Sequence, residues 1–178
     1  MLNIYTDGAV SKNGSDDAYG GWCYICENNH ILECGYVKPA TNQICELMGV
    51  LNACKNAKRW ISLNTFPLEE VSIFTDSAYI VNCYEQQWWK TWIINGWKNS
   101  KKQPVANQEL WEQLIPFFTN PRFHFIKVKG HMGNCYNEIA DTWAVKAKVN
   151  RMSAIGYYSL QTKTLMDYEE SEDKINEQ

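Results

Sequence analysis

Apolar positions recur along most of the chain in two rhythms, and the changes of rhythm mark out its elements. Ile4-Tyr5-Thr6-Asp7-Gly8-Ala9 is a β-branched and aromatic run that stops at an acid and a glycine, which predicts a buried strand with Asp7 at its end. Residues 10–19, rich in Ser, Asn, Gly and Asp, read as a loop. Strands are predicted over 20–27 and 31–37, joined at Asn28-Asn29-His30 as a hairpin. The period then lengthens: Ile44, Leu47, Met48, Leu51, Cys54 and Ala57 share one helical face, and Thr41 or Asn42 can cap that helix. Residues 71–76 return to a strand and 78–86 continue as a helix. Trp88 and Trp92, four apart, share a helical face that Gly96 ends, and 98–104 read as an exposed loop. A helix over 107–119 turns Leu110, Trp111, Leu114 and Ile115 inward, and 122–129 alternate through Phe123 and Phe125 as a strand. A glycine-bounded loop, Gly130 to Asn134, displays His131, and a helix opening at Asn137 carries Glu138, Asp141, Ala144, Val145 and Ala147. From Arg151 onward the periodicity fades, so 151–178 read as a C-terminal extension with 160–178 largely disordered.

At 178 residues this is the size of one domain with a substantial core. No run of eighteen or more apolar residues exists, which excludes a helical membrane span, and no signal peptide precedes the first strand. Seven cysteines without framework spacing point to reduced thiols in a cytoplasmic setting. Cys23 and Cys26 resemble a metal pair, but three apart on a strand they face opposite sides. The net charge of −3 hides a division: residues 167–178 hold six acids against Lys174 alone, leaving the rest of the chain at +2. A weakly basic body leaves nucleic acid open as a partner without demanding it.

The candidate chemistry lies in carboxylates. Val71-Ser72-Ile73-Phe74-Thr75-Asp76-Ser77 repeats the earlier pattern of an apolar strand closing in Thr-Asp and a small residue. On adjacent strands two such acids stand about 5 Å apart laterally, close enough to repel, and a divalent cation is the usual reason to tolerate that. The plainer reading is that each Asp starts a turn. Glu46, in the first helical turn, is explained by the helix dipole when taken alone. Its place beside inward-facing Leu47 makes an unpaired acid costly there. Asp141 can face the sheet or serve as a dipole acid. Between Gln86 and Gln108 there is no acid, and Lys90, Lys98, Lys101 and Lys102 interleave with Trp88, Trp89, Trp92 and Trp97. Cations among flat aromatics suit phosphate and base or sugar contact. The alternative is a tryptophan core under a solvated lysine face.

Taken in order, Tyr5-Thr6-Asp7-Gly8-Ala9, Thr41-Asn42-Gln43 with Glu46-Leu47, Thr75-Asp76-Ser77-Ala78-Tyr79 and Lys129-Gly130-His131-Met132-Gly133-Asn134 with Asn137-Glu138-Ile139-Ala140-Asp141 resemble type 1 ribonuclease H over residues 2 to about 150. The resemblance implies a ribonuclease H-like α/β domain over 1–150. Its mixed five-stranded sheet, in the order 3-2-1-4-5, carries helices on both faces. It implies that Asp7, Glu46, Asp76 and Asp141 hold two Mg²⁺ ions (Mn²⁺ a possible substitute), and that His131 assists proton transfer or product release. It implies hydrolysis of the RNA strand of RNA–DNA hybrids, leaving 5′-phosphate and 3′-hydroxyl ends, by a monomer. Trp88, Trp92, Trp97 and Lys98 would line the channel for the DNA strand, Thr41 and Asn107 would hold a DNA phosphate, and Asn13, Asn42 and Gln43 would approach the RNA. Val10 and Ala78 depart from the family's polar or cysteine residues near the RNA, and the protrusion carries fewer cations than in well-known bacterial enzymes. A non-catalytic binding module of the same fold and a transposase- or integrase-like strand-transfer enzyme stand as rivals. The intact acid quartet argues against the first. The His131 loop, the tryptophan protrusion and the small size argue against the second.

Overall fold

A computed structural model describes residues 1–63, 70–129 and 133–167. In chain order the elements are β1 (Leu2–Ser11), β2 (Tyr19–Cys26), β3 (Ile31–Val37), α1 (Asn42–Ser62), β4 (Val71–Thr75), α2 (Ala78–Glu85), α3 (Trp88–Ile94), α4 (Gln108–Phe118), β5 (Phe123–Lys127), α5 (Cys135–Asn150), β6 (Ala154–Ser159) and β7 (Thr164–Asp167). The strands form one mixed sheet in the order β5-β4-β1-β2-β3-β6-β7. β1, β4 and β5 run parallel, and every other pairing is antiparallel. The expected order 3-2-1-4-5 is therefore present, but the sheet has seven strands rather than five.

The two additional strands come from the segment expected to be an irregular extension. β6 pairs with β3, Leu32 opposite Gly156, and β7 closes the edge with Tyr157 opposite Met166. Their anchor is Tyr158, which is buried edge-on against Trp143 of α5. A Cβ on Gly156 would sit 2.1 Å from the Met166 carbonyl oxygen, so only glycine lets the two strands approach there. Residues 168–178, where most of the acidic tail lies, fall outside the described part of the chain.

Each face of the sheet has its own apolar layer, as a sheet between helices requires. On one side Ile4, Tyr24, Ile73, Leu47, Val50, Trp111 and Leu114 join the sheet to α1 and α4. On the other, Tyr5, Cys23, Ile25, Leu32, Trp143 and Ala144 join it to α5. Cys23 and Cys26 fall in opposite layers, so the CxxC spacing holds no shared ligand. All seven cysteines are free, and Cys135 alone among them is exposed. Among the described residues no helix is long and apolar enough to cross a membrane.

β1 runs further than its composition suggested, and this shapes the site. Its pairing with β2 continues through Val10 opposite Gly20, whereas its pairing with β4 stops at Tyr5 opposite Phe74. Asp7 is thus not at a strand end but in mid-strand, with a paired neighbour on one side and an opening on the other.

Candidate active site

Register brings the first two acids together. Tyr5 and Phe74 are the last partners across β1 and β4, so Asp7 and Asp76 each lie two residues beyond that pair, Asp7 still within β1 and Asp76 just past the end of β4. Neighbouring strands are about 4.8 Å apart. Tyr5 and Phe74 stack at 4.6 Å on the α5 side, and alternation turns Asp7 to that side too.

Helices on opposite faces supply the other two acids at the same opening. A Cβ on Gly8 would lie 2.7 Å from the Glu46 nitrogen and from the Cys45 carbonyl carbon, so β1 and α1 meet backbone to backbone beside Asp7. Glu46 lies one residue beyond the first turn of α1, which Thr41 caps by accepting from the Ile44 N–H. The dipole explanation for Glu46 therefore loses most of its force. On the other face a Cβ on Gly21 would meet the Ala144 oxygen at 2.2 Å and the Lys148 nitrogen at 2.6 Å, pressing α5 onto β2. Asp141 stands in the second turn of that helix, half-buried, while the first-turn acid is Glu138.

Charge couples all four. Burial raises the Asp7 carboxyl to about 7, and Asp76 beside it adds to that, with Asp141 and Glu46 contributing less and the Gly8 N–H, 2.7 Å from Oδ1, opposing. Glu46 is likewise raised, chiefly by burial, against hydrogen bonds from Ser77 and Asn42. Oδ1 of Asp76 is buried and accepts no hydrogen bond. Among the described residues no three acids, thiols or imidazoles already stand in a metal-holding array. What exists is a knot of hard oxygen atoms that repel one another, one of them without a donor. That donor set fits Mg²⁺, which prefers carboxylate oxygen and water.

Around Glu46 the expected RNA-side residues gather. The Asn42 N–H donates to Asn13 Oδ1 at 3.3 Å and the Asn42 amide donates to Glu46 Oε1 at 3.0 Å, while Gln43 is exposed beside them. Asn107 holds a left-handed backbone at the start of α4 and makes no side-chain cap there, leaving it on the groove between α1 and α4 with Ile44 and Met48. In the protrusion, Trp88 and Trp97 are half-buried and Lys98 is exposed. Trp92 differs from the expectation. It is 7% exposed and packed edge-on against Trp111, so its ring belongs to the core beneath the protrusion rather than to the protrusion's surface. His131 lies outside the described residues.

Ser77 and Asn134 were not singled out from the sequence. Ser77 joins Glu46 to the start of α2, which it also caps through the Ile80 N–H. Asn134 caps α5 and donates to the Tyr5 hydroxyl at 3.2 Å, fixing that helix to β1. A small polar residue after Thr-Asp and an Asn before an apolar period were the available signals.

Known proteins share the family and the fold. The RNase H family model matches residues 1–149. Ribonuclease H of Syntrophomonas wolfei subsp. wolfei is 42% identical over 148 residues, covering 81% of this chain and 93% of that protein. Among solved structures, LC9-RNase H1, a type 1 RNase H with the type 2 active-site motif, gives a TM-score of 0.67 at 22% identity over 94% of this chain and 77% of its own. The foamy viral protease-reverse transcriptase in complex with RNA/DNA hybrid gives 0.68 at 19% identity, over 84% of this chain and 20% of its own. At such identities the two structures speak for the fold.

Proposed function

The chain belongs to the RNase H family, and on that premise we propose that it is an endonuclease that binds RNA–DNA hybrids and hydrolyses the RNA strand, leaving 5′-phosphate and 3′-hydroxyl ends. The single observation that carries the reading is the coupled quartet of Asp7, Glu46, Asp76 and Asp141, in which Asp76 Oδ1 is buried without a donor among the described residues.

Asp7, Glu46, Asp76 and Asp141 would hold two Mg²⁺ ions, with Mn²⁺ a possible substitute. When bound, such a pair supplies charge neutralisation and activates water for in-line displacement at phosphorus. Asp7 does its part as the deprotonated form, which its surroundings disfavour until positive charge arrives. Ser77 and Asn42 hold the Glu46 carboxylate in one orientation. Asn13, Asn42 and Gln43 offer donors and acceptors beside Glu46 where a 2′-hydroxyl distinguishes RNA from DNA. Thr41 and Asn107 receive a phosphate of the DNA strand, and Trp88, Trp97 and Lys98 receive the next stretch of that strand by stacking and charge. His131 takes up or delivers the proton, or helps product leave, as an imidazole can. The working unit is a monomer in the cytoplasm.

The test is one labelled sequence presented as RNA–DNA hybrid, double-stranded RNA and double-stranded DNA, with and without Mg²⁺, followed by mapping of the product ends. Cleavage confined to the hybrid's RNA strand, lost in Asp7→Asn with hybrid binding retained, is the expected result. His131→Ala should slow turnover without abolishing it. Equal cutting of the DNA duplex would instead favour a strand-transfer enzyme.

A further inference from the structure

Asn137 occupies the first turn of α5, where an asparagine ordinarily serves the helix end. That task is already taken. Asn134 Oδ1 accepts from the N–H groups of both Tyr136 and Asn137, at 3.0 and 3.2 Å. The Asn137 side chain is turned inward, with the residue only 5% exposed, and its Oδ1 is buried without a hydrogen-bond donor among the described residues. A buried amide oxygen without a donor is uncommon and disfavours the folded state, so its retention asks for a partner.

Its surroundings indicate which. Asn134 is fixed over Tyr5 and Tyr136 stacks on Tyr5 at 5.7 Å, so α5 begins above β1 two residues short of Asp7. Asp141, one turn after Asn137 on the same helical face, couples electrostatically to Asp7. Asn137 therefore lies on the helical face that carries Asp141, one turn nearer the end of α5 that is fixed over Tyr5. Asp76, whose Oδ1 is also buried without a hydrogen-bond partner among the described residues, acts on Asp7 as well.

We propose that Asn137 is a positioning residue whose carboxamide oxygen accepts a hydrogen bond from water in the hydration shell of the carboxylate-held cation. The inference rests on the metal-binding reading of the quartet and extends it by one neutral acceptor. Mg²⁺ keeps several of its waters, and their protons need acceptors. An aspartate at this position would add a fifth negative charge to a set that already repels itself, whereas an amide accepts without charge. Outer-shell groups of this kind typically change metal affinity by about 10–100-fold.

The experiment compares the parent chain, Asp7→Asn, Asn137→Leu and Asn137→Asp by calorimetric Mg²⁺ titration, together with thermal unfolding in EDTA. Leucine matches asparagine in shape and removes the orphaned oxygen. The expected result for Asn137→Leu is Mg²⁺ affinity weaker by about tenfold, with unfolding in EDTA at the same or a higher temperature. Asn137→Asp should keep or tighten Mg²⁺ affinity and unfold earlier in EDTA. Cleavage by Asn137→Leu should recover at high Mg²⁺, a change in the Mg²⁺ requirement rather than in the maximal rate. Mg²⁺ affinity of Asn137→Leu within twofold of the parent, or a lower unfolding temperature in EDTA, would make Asn137 a structural amide and end the proposal. If the parent itself shows no saturable Mg²⁺ binding that Asp7→Asn removes, the reading of the quartet falls and this inference with it. A parent that binds Mg²⁺ and an Asn137→Leu that binds it equally sinks the inference alone.

Discussion

Removing the charge of Asp7 should make the metal-free protein more stable, but only above a particular pH. The Asp7 carboxyl is held at about 7 against an ordinary 3.8, first by burial and then by Asp76. Between these values the folded chain keeps a proton that the unfolded chain has released. Stability therefore falls as pH rises through that window, and above about 7 the full penalty stands. The gap corresponds to roughly 4 kcal/mol at about 1.36 kcal/mol per pH unit. Asp7 is only half-buried, and screening by that solvent contact trims the figure to roughly 2–3 kcal/mol. Asp7→Asn keeps the acceptor for the Gly8 N–H and is neutral throughout. In EDTA at pH 8.5 it should unfold roughly 4–12 °C above the parent, at about 2–4 °C per kcal/mol for a chain of this size. At pH 5 the folded carboxyl is protonated but the unfolded one is mostly ionised, so roughly a third of that gap should remain, and the two curves should coincide only below about 3.8. Saturating Mg²⁺ at pH 8.5 should raise the parent and leave the variant behind, because a ligand stabilises the form that binds it. An equal gap at both pH values, or a variant less stable at pH 8.5, would show that the acids do not strain one another as described.

Other perturbations separate the site's scaffold from its surface. Gly8→Ala puts a methyl group 2.7 Å from the α1 backbone at Glu46; it should cost roughly 1–3 kcal/mol in urea unfolding and about a hundredfold in cleavage, since misplacing a reacting group by an ångström has that effect. Trp92→Ala should cost about 3–5 kcal/mol as a core truncation, whereas Lys98→Ala should leave stability within about 0.5 kcal/mol. Lys98→Ala should instead flatten the salt dependence of hybrid binding by about 0.9 in log–log slope, the change expected when one fewer phosphate is neutralised. Ending the chain after Ser153 removes Tyr158 from Trp143 and bares the β3 edge at Leu32 and Cys34. Its urea midpoint should fall by the equivalent of roughly 3 kcal/mol or more; an unchanged midpoint would make β6 and β7 incidental to the fold.

The parts of this molecule that its sequence discloses are those governed by local period. β2 alternates nothing, because helices cover both of its faces, yet its apolar run between Gly20 and the Asn-Asn-His turn still marks it as a strand. α1 is disclosed by six apolar positions and by Thr41. Asp7 illustrates where local period stops. Its residue type and neighbours suggested a strand end, but a strand has two edges, and only the β4 edge ends there while β2 carries on to Tyr19. No pattern within residues 2–9 encodes the length of β4. β6 and β7 were illegible for a related reason. Ala-Ile-Gly-Tyr-Tyr-Ser is short, interrupted by a glycine that would ordinarily weaken a strand, and lies between Ser153 and the Leu160-Gln161-Thr162-Lys163 stretch. Its stability comes from Trp143 and from the β3 edge, both contributed by other parts of the chain. Trp92 is the converse case. Lysines beside tryptophans look alike whether the rings meet a ligand or Trp111, and only the packing of α3 against α4 assigns Trp92 to the core while leaving Trp88 and Trp97 half-buried. The acid quartet lies between these extremes: each carboxylate has an innocent explanation at its own position, and these weaken only when the Gly8 and Gly21 contacts bring two helices against one sheet from opposite sides. A site that forms where one strand outlasts its neighbour is a property of the sheet, and so it is seen only when the sheet is assembled.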